Sequence, residues 1–341
     1  MYLIILIKEI TKLSIQNADI GFNLKKGTKE LLQNINISAE KGELIALIGI
    51  NGSGKSTLLR TIIGLQELLS GEIKIDGKNN SEYTKIESAK KIAFVSSEII
   101  QTKYLKVKDI VALGRYPHQT FSNQNSEKDK KIIESALETV GMSDFKERLI
   151  TEISDGERQK IMTARALAQE TDIILLDEPA AFLDLENKFS LYKILSQTAQ
   201  NLNKTIIFST HDLNIALKYC DKVWLIKDKN IYEGSPEDLF LKGMLQNIFS
   251  DKHVFFNSDT FEYSVKFNRK FPINVINSSQ SFKLEKVIIN ALQRKGFYES
   301  DSEKSKSLEI INNNKFIIKN YENRFEYTGI YELIKKLTEI D

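Results

Sequence analysis

ELIALIGINGSGKST, residues 43–57, joins an unbroken apolar run to a glycine-rich turn and then to residues that favour a helix. The apolar run reads as a strand buried on both faces, and STLLRTIIG as the helix that leaves the turn. Between them, Gly49, Asn51, Gly52, Ser53, Gly54, Lys55 and Ser56 fit the phosphate-loop pattern G-x-x-x-x-G-K-[ST]. In such a loop the glycines let backbone amides close around the β- and γ-phosphates of a nucleotide. Lys55 would place a cation there, and Ser56 would offer a hydroxyl to Mg²⁺.

Working outward, LSIQNADIGF and LLQNINIS read as strands before the loop. After it come a hairpin-like pair in GEIKIDGK, a strand in KKIAFVSS, and a helical stretch from about 98 to 170. DIILLDEP and KTIIFST are further apolar runs separated by the helical ENKFSLYKILSQTAQNL, and KVWLIKDKNIYEG reads as a closing hairpin around Asp228 to Asn230. Strands alternating with helices predict an α/β fold, its sheet covered on both faces.

Asp177 and Glu178 end the run DIILLDEP. Paired carboxylates at the C-terminal end of a strand suit the edge where open α/β sheets bind ligands. One suits Mg²⁺, and the next can orient or deprotonate an attacking water. His211 ends the neighbouring run IIFSTHD and reads there as a γ-phosphate sensor. A second anion-binding element is less expected. In EISDGERQK, residues 152–160, Ser154 and Glu157 are spaced as a capping box, and Asp155-Gly156 places a flexible turn at a helix start, where anions bind.

GINGSGKST, SDGERQK, ILLDEP, FLD and STHD, in this order and spacing, resemble the nucleotide-binding subunit of an ABC transporter over roughly residues 13–250. The resemblance implies a P-loop NTPase cassette with a mixed sheet and a helical subdomain, binding ATP and Mg²⁺ through residues that include Thr57. It also implies a head-to-tail homodimer in which the signature motif of one copy closes over the ATP of the other. Ser154 and Gly156 would then touch the partner's γ-phosphate, and Asp184 would run along the seam. Lys55, Glu178 and His211 would be catalytic, and Ser56 and Asp177 would hold the metal. Phe22 matches the family's adenine-stacking aromatic, although a core strand position is the alternative.

Two positions depart from the family pattern. Asp155 replaces the first glycine of the signature and is expected to point away from phosphate, since a carboxylate 4 Å from that charge would cost ~4 kcal/mol at an intermediate dielectric. Ser97 occupies the place of a glutamine that reaches the metal or the water, so it would act through a bridging water. Gln101 lies too late to replace it, and Tyr104 and Leu105 in the following loop are expected to face a permease. VALGRYPH, residues 111–118, resembles the segment found in cassettes of importers for iron–siderophore complexes, haem and cobalamin. Such importers join the cassettes to a membrane permease and, indirectly, to a substrate-binding protein. Alternatives are an ABC ATPase for another transported substrate, a soluble non-transport ABC ATPase, and a regulatory module that does not hydrolyse ATP. Intact Lys55, Asp177, Glu178 and His211 argue against the last.

Composition agrees with a globular chain: 341 residues, 41% hydrophobic, 28% charged and a net charge of +2. That balance, with no dense basic cluster along the chain, argues against nucleic acid as a partner. A single cysteine, Cys220, excludes a disulfide framework and fits a reducing compartment. No apolar run approaches the ~18 residues of a membrane span, and YLIILI near the start reads as a strand or an added segment. The resemblance to importer cassettes implies a peripheral location at the cytoplasmic face of the inner membrane. Beyond about residue 250 the character changes, and 251–341 reads as a small α+β accessory domain with no chemical motif. Regulation, dimerisation and the covering of an apolar surface are all open roles for it.

Overall fold

A computed structural model describes residues 11–25, 27–97, 104–119, 126–181, 183–248, 254–301, 306–320 and 323–339. The segment YLIILI, Phe182 of the FLD motif, and Gln101 lie outside the described residues. The chain divides into two compact units.

The first unit begins with strands β1 (Thr11–Leu24), β2 (Gly27–Glu40) and β3 (Leu44–Ile48), followed by helix α1 (Lys55–Ile62). Strands β4 (Leu68–Ile75) and β5 (Lys78–Asn79), helix α2 (Lys85–Ala89) and strand β6 (Ile92–Val95) come next. Helices α3 (Val107–Ala112), α4 (Glu127–Thr139) and α5 (Asp155–Ala168) form the helical stretch. The unit continues with β7 (Ile173–Leu176), α6 (Leu185–Leu202), β8 (Thr205–Thr210) and α7 (Leu213–Tyr219). The hairpin β9 (Lys222–Lys227) and β10 (Asn230–Gly234) and helix α8 (Pro236–Leu241) follow.

Its larger sheet has the order β10-β9-β3-β8-β7-β6. All of its pairs are parallel except β10 with β9. A second, antiparallel sheet has the order β2-β1-β4-β5. The apolar run of β3 follows from burial on both faces. Leu44, Ala46 and Ile48 enter the core shared with the helices α3 to α7, while Ile45 and Leu47 enter the core shared with α1 and the antiparallel sheet. The β9–β10 turn is made by Asp228 and Lys229, both at positive φ, the geometry that matches the twist of a two-residue hairpin.

The VALGRYPH segment is a structural joint. A Cβ on Gly114 would lie 2.2 Å from the carbonyl oxygen of Arg165, so only glycine lets α5 pass this close. Arg115 is buried, donating through Nε to Asp129 at 2.8 Å and through Nη1 to the carbonyl of Ala168 at 2.6 Å. Burial alone would raise the pKa of Asp129, but the hydrogen bonds from Arg115 and Ser126 hold its carboxyl below the usual range.

The two units divide after residue 250, and Phe256–Tyr263 then returns to the first unit. This segment lies in the pair β11 (Val254–Asn257) and β12 (Glu262–Val265). Phe256 packs at 5.1 to 5.3 Å from the rings of Phe240, Phe261 and Tyr263. The amide of Tyr263 donates to the side chain of Asn214 at 2.7 Å, and its hydroxyl donates to the carbonyl of Leu245 at 2.6 Å.

The second unit contains β13 (Phe271–Asn277), α9 (Phe282–Gln293), β14 (Phe297–Glu299), β15 (Lys306–Asn312), β16 (Lys315–Asn320), β17 (Asn323–Tyr327) and α10 (Ile330–Glu339). Its five-stranded sheet has the order β14-β13-β15-β16-β17, with β13 parallel to both neighbours and the rest antiparallel. Ile288 and Leu292 of α9 and Leu333 and Leu337 of α10 pack with Ile273, Leu308 and Phe316 of the sheet.

Two outcomes follow from this packing. A chain ending at Ser250 loses the aromatic cluster and is expected to melt about 2–8 °C below one ending at Val265, as a loss of ~1–2 kcal/mol would produce; equal melting temperatures would show Phe256–Tyr263 to be dispensable. Gly114→Ala forces α5 away from its seat and should cost about 1–3 kcal/mol, measured by denaturant unfolding.

Candidate functional site

The register of the parallel strands gathers the site. Ile48 pairs with Thr210 and Leu176 pairs with Phe208. The residues that follow each strand, Gly49, His211 and Asp177, therefore leave the sheet at one edge.

Gly52 and Gly54 of the loop have φ of 76° and 105°, left-handed values that suit glycine. Gly54 thus turns the chain directly into α1, whose first amides have no partner within the helix. Lys55 is buried and folds over its own loop, donating to the carbonyls of Gly49 at 3.0 Å and Ile50 at 3.3 Å. Burial lowers its pKa, and the carboxylates of Glu178 and Asp177 oppose that shift. Asn51 is exposed, and the buried hydroxyl of Ser53 has no hydrogen-bond partner among the described residues.

Ser56 donates to Oδ1 of Asp177 at 3.0 Å, and Ser209 donates to the same oxygen at 2.7 Å. Both bonds fall on Oδ1, so Oδ2 is available to water or a cation. Among the described residues no cluster of three His, Cys, Asp or Glu could hold a metal. A single carboxylate beside a hydroxyl fits Mg²⁺ nonetheless, since this hard ion takes oxygen ligands and keeps several waters. Ser97 lies two residues beyond Val95, whose carbonyl accepts the amide of Asp177 at 2.8 Å; its side chain is exposed.

Glu178 has φ of 50°, a left-handed conformation that costs a non-glycine residue about 1 kcal/mol. Ser209 holds it there by accepting its amide at 2.8 Å. The turned carboxylate meets Nε2 of His211 at 2.5 Å. Ser209 was not singled out from the sequence, although a serine inside the buried run TIIFST demands a partner. Behind His211, the hydroxyl of Tyr192 meets that of Thr210 at 3.2 Å.

The start of α5 is a capping box. Ser154 accepts the amide of Glu157 at 3.3 Å, and Glu157 accepts the amide and hydroxyl of Ser154 at 2.7 and 2.8 Å. Asp155 is turned to Arg158, whose Nη1 donates to it at 3.0 Å. Gly156 is buried against Asn187, whose side-chain carbon and nitrogen would lie 3.0 Å from an added Cβ. Asn187 in turn donates its amide at 2.8 Å to Asp184, the cap of α6. Asn187 thus links Asp184 to the start of α5, with Ser154 and Asp184 exposed and Gly156 buried beneath the Asn187 side chain. Thr57 is half-buried in the first turn of α1. Phe22 is 36% exposed on β1, so it is a surface ring rather than a core residue. Leu105 is half-buried and packs against the core, whereas Tyr104 is exposed.

Residues 32–181 match the ABC transporter family. The chain is 35% identical over 242 residues to a probable siderophore transport system ATP-binding protein of Bacillus subtilis (strain 168), covering 71% of this chain and 86% of that one. It is 36% identical over 227 residues to a petrobactin import ATP-binding protein of Bacillus anthracis, covering 66% and 83%. The dimeric structure of a bacterial ABC transporter cassette superposes with a TM-score of 0.58 at 26% identity, covering 65% of this chain and 98% of that one. With similarity running through more than four-fifths of each of these relatives, the chain belongs to the ABC transporter family as one of its ATP-binding, ATP-hydrolysing subunits.

Proposed function

We propose that this ATPase powers the import of iron complexes, carried by siderophores or haem, or of cobalamin. It would work as a head-to-tail homodimer on a transmembrane permease at the cytoplasmic face of the membrane, served by a substrate-binding protein. The observation that carries the cargo class is that both relatives named above are siderophore or petrobactin importers by name. Among the described residues no helix is long and apolar enough to cross a membrane, which fits a peripheral subunit. Exposed Tyr104, Leu113 and Tyr116 in the helical region offer apolar contact to a permease.

In this reading Gly49, Asn51, Gly52, Ser53, Gly54 and Thr57 line the phosphates with backbone and hydroxyl donors. Lys55 exchanges its two carbonyl partners for phosphate oxygens, and Phe22 stacks on adenine. Ser56 and Asp177 would hold Mg²⁺, with Ser97 acting through water, and the ion would supply positive charge to the phosphate chain. Water attacks the γ-phosphorus in line, and the bond to the β-bridging oxygen breaks. Glu178 accepts the water's proton, while His211, held by that same carboxylate, orients the γ-phosphate. Exposed Ser154 and Asp184, joined through Asn187, support the closing of this surface over the ATP of a second copy, where Asn187 would move aside for Gly156 to reach phosphate. Asp155, tied to Arg158, leaves the anion path clear.

Cargo is tested by reconstituting the chain with its co-purifying permease in vesicles and measuring ATP-dependent uptake. Uptake of ferric siderophore, haem or cobalamin supports the assignment, and uptake of an unrelated substrate alone overturns it. Glu178→Gln should retain ATP binding while turnover falls by about 10²–10⁴-fold. Gel filtration with ATP should then show a long-lived dimer, and hydrolysis near wild type would remove Glu178 from the role of base. Ser97→Ala should change ATP affinity by less than about 1 kcal/mol, the worth of one neutral hydrogen bond. Abolished ATPase activity in that variant would give Ser97 a direct rather than water-mediated role.

A further inference from the structure

The second unit contains a cleft of about 440 Å³, within the range of small-molecule sites. Ile273, Leu292 and Phe297 form its apolar floor, and Phe255, Phe267 and Tyr298 contribute rings to its walls. Phe255 and Phe267 are 39% and 40% exposed, so their ring faces are open to an occupant. Lys266 and Arg269 line the same cleft beside the amide side chains of Asn268 and Gln293, and Glu299 is the single carboxylate among the lining residues.

An adjoining hollow shares Lys266, Phe267, Asn268 and Gln293 and adds Lys270, Arg294 and Lys295. Five cations thus meet on two turns that are 23 or more residues apart in the chain. The backbone stitches these turns together: the carbonyl of Gly296 accepts the amides of Lys270 at 2.7 Å and Phe271 at 3.1 Å. Among the described residues, none of the five forms an ion pair. Like charges gathered without counterions raise a local positive potential that attracts an anion. Ring faces beside them add stacking surface, and the amides add directional donors.

We infer that this cleft binds a small anion with a planar aromatic body, its ring against Phe255, Phe267 and Tyr298 and its charge towards Lys266 and Arg269. Nucleotides and aromatic carboxylates both carry this chemistry. The site is separate from the ATPase machinery and does not depend on the cargo assignment.

The full chain, saturated with MgADP to fill the cassette, is titrated with 1-anilinonaphthalene-8-sulfonate and followed by fluorescence. Saturable binding is expected. It should weaken about tenfold in the Lys266→Glu/Arg269→Glu double variant, and again as salt rises from about 50 to about 500 mM. Phe267→Ala should weaken it too, and ATPase activity without the probe should stay unchanged in all of these variants. Should the reversed pair fold poorly, Lys266→Gln/Arg269→Gln replaces it. Displacement by AMP identifies the nucleotide source, and displacement by 2,3-dihydroxybenzoate the aromatic carboxylate source. Unsaturable binding, affinity indifferent to charge reversal, or attachment to anionic lipid vesicles with no competition by either small anion would overturn the proposal.

Discussion

The pairing of β8 with β3 on one side and β7 on the other is the constraint on which the site depends. Parallel register sets Ile48 against Thr210 and Leu176 against Phe208, so three chains leave the sheet together. A slip of one residue would exchange the two faces of every strand, sending Ile45 and Leu47 into the wrong core. The cores on the two faces therefore hold the catalytic register. Ser209 completes the arrangement from inside the sheet, bonding the carboxylate of Asp177 and the amide of Glu178 at once.

Charges of both signs meet at this edge. Lys55 loses hydration through burial, and the nearby carboxylates of Glu178 and Asp177 restore part of the preference for its charged form. Asp177 is itself almost fully buried and is supported by two serine hydroxyls. Such a site favours a ligand that carries both signs, a phosphate chain with its cation, because either alone would leave a buried charge uncompensated. Glu178 is less buried than Asp177 and sits in a strained backbone turn, held by one hydrogen bond at its amide and one at its carboxylate. Strain of this kind persists only where the surroundings over-determine it.

Much of the cassette was legible because its chemistry is local in sequence. The phosphate loop needs a strand, glycines and a helix in immediate succession, and the capping box of Ser154 and Glu157 spans four residues. What escaped was made by distant segments. Phe256–Tyr263 returns to the first unit through ring packing and Asn214, and no composition change marks that return. FYE at residues 297–299 pairs with β13 as a strand, and a strand of three residues carries no periodicity of its own. The basic cleft was invisible for the same reason: KFNRK and QRK look like ordinary solvated runs until Gly296 joins them.

The G-R-x-P segment shows how a cargo-associated resemblance can have a structural cause. Gly114 and Arg115 lock the end of α5, and nothing in their buried contacts recognises a transported molecule. Arg115 binds the carbonyl of Ala168 at that end, while Arg165 donates to the carbonyl of Phe94 in β6 at 3.1 Å. Gln169 adds bonds to the carbonyls of Ala89 and Ile92 at 2.6 and 3.1 Å. Helix α5 therefore begins at the capped serine of the signature and ends fastened to the strand that leads to Ser97. A displacement of the helical region carries the signature with it only because this far end is clamped. The exposed rings of Tyr104 and Tyr116 lie on either side of α3, whose contacts with α5 are among the densest between helices. The physical consequence of the segment is a fastened end of α5, whatever the cargo.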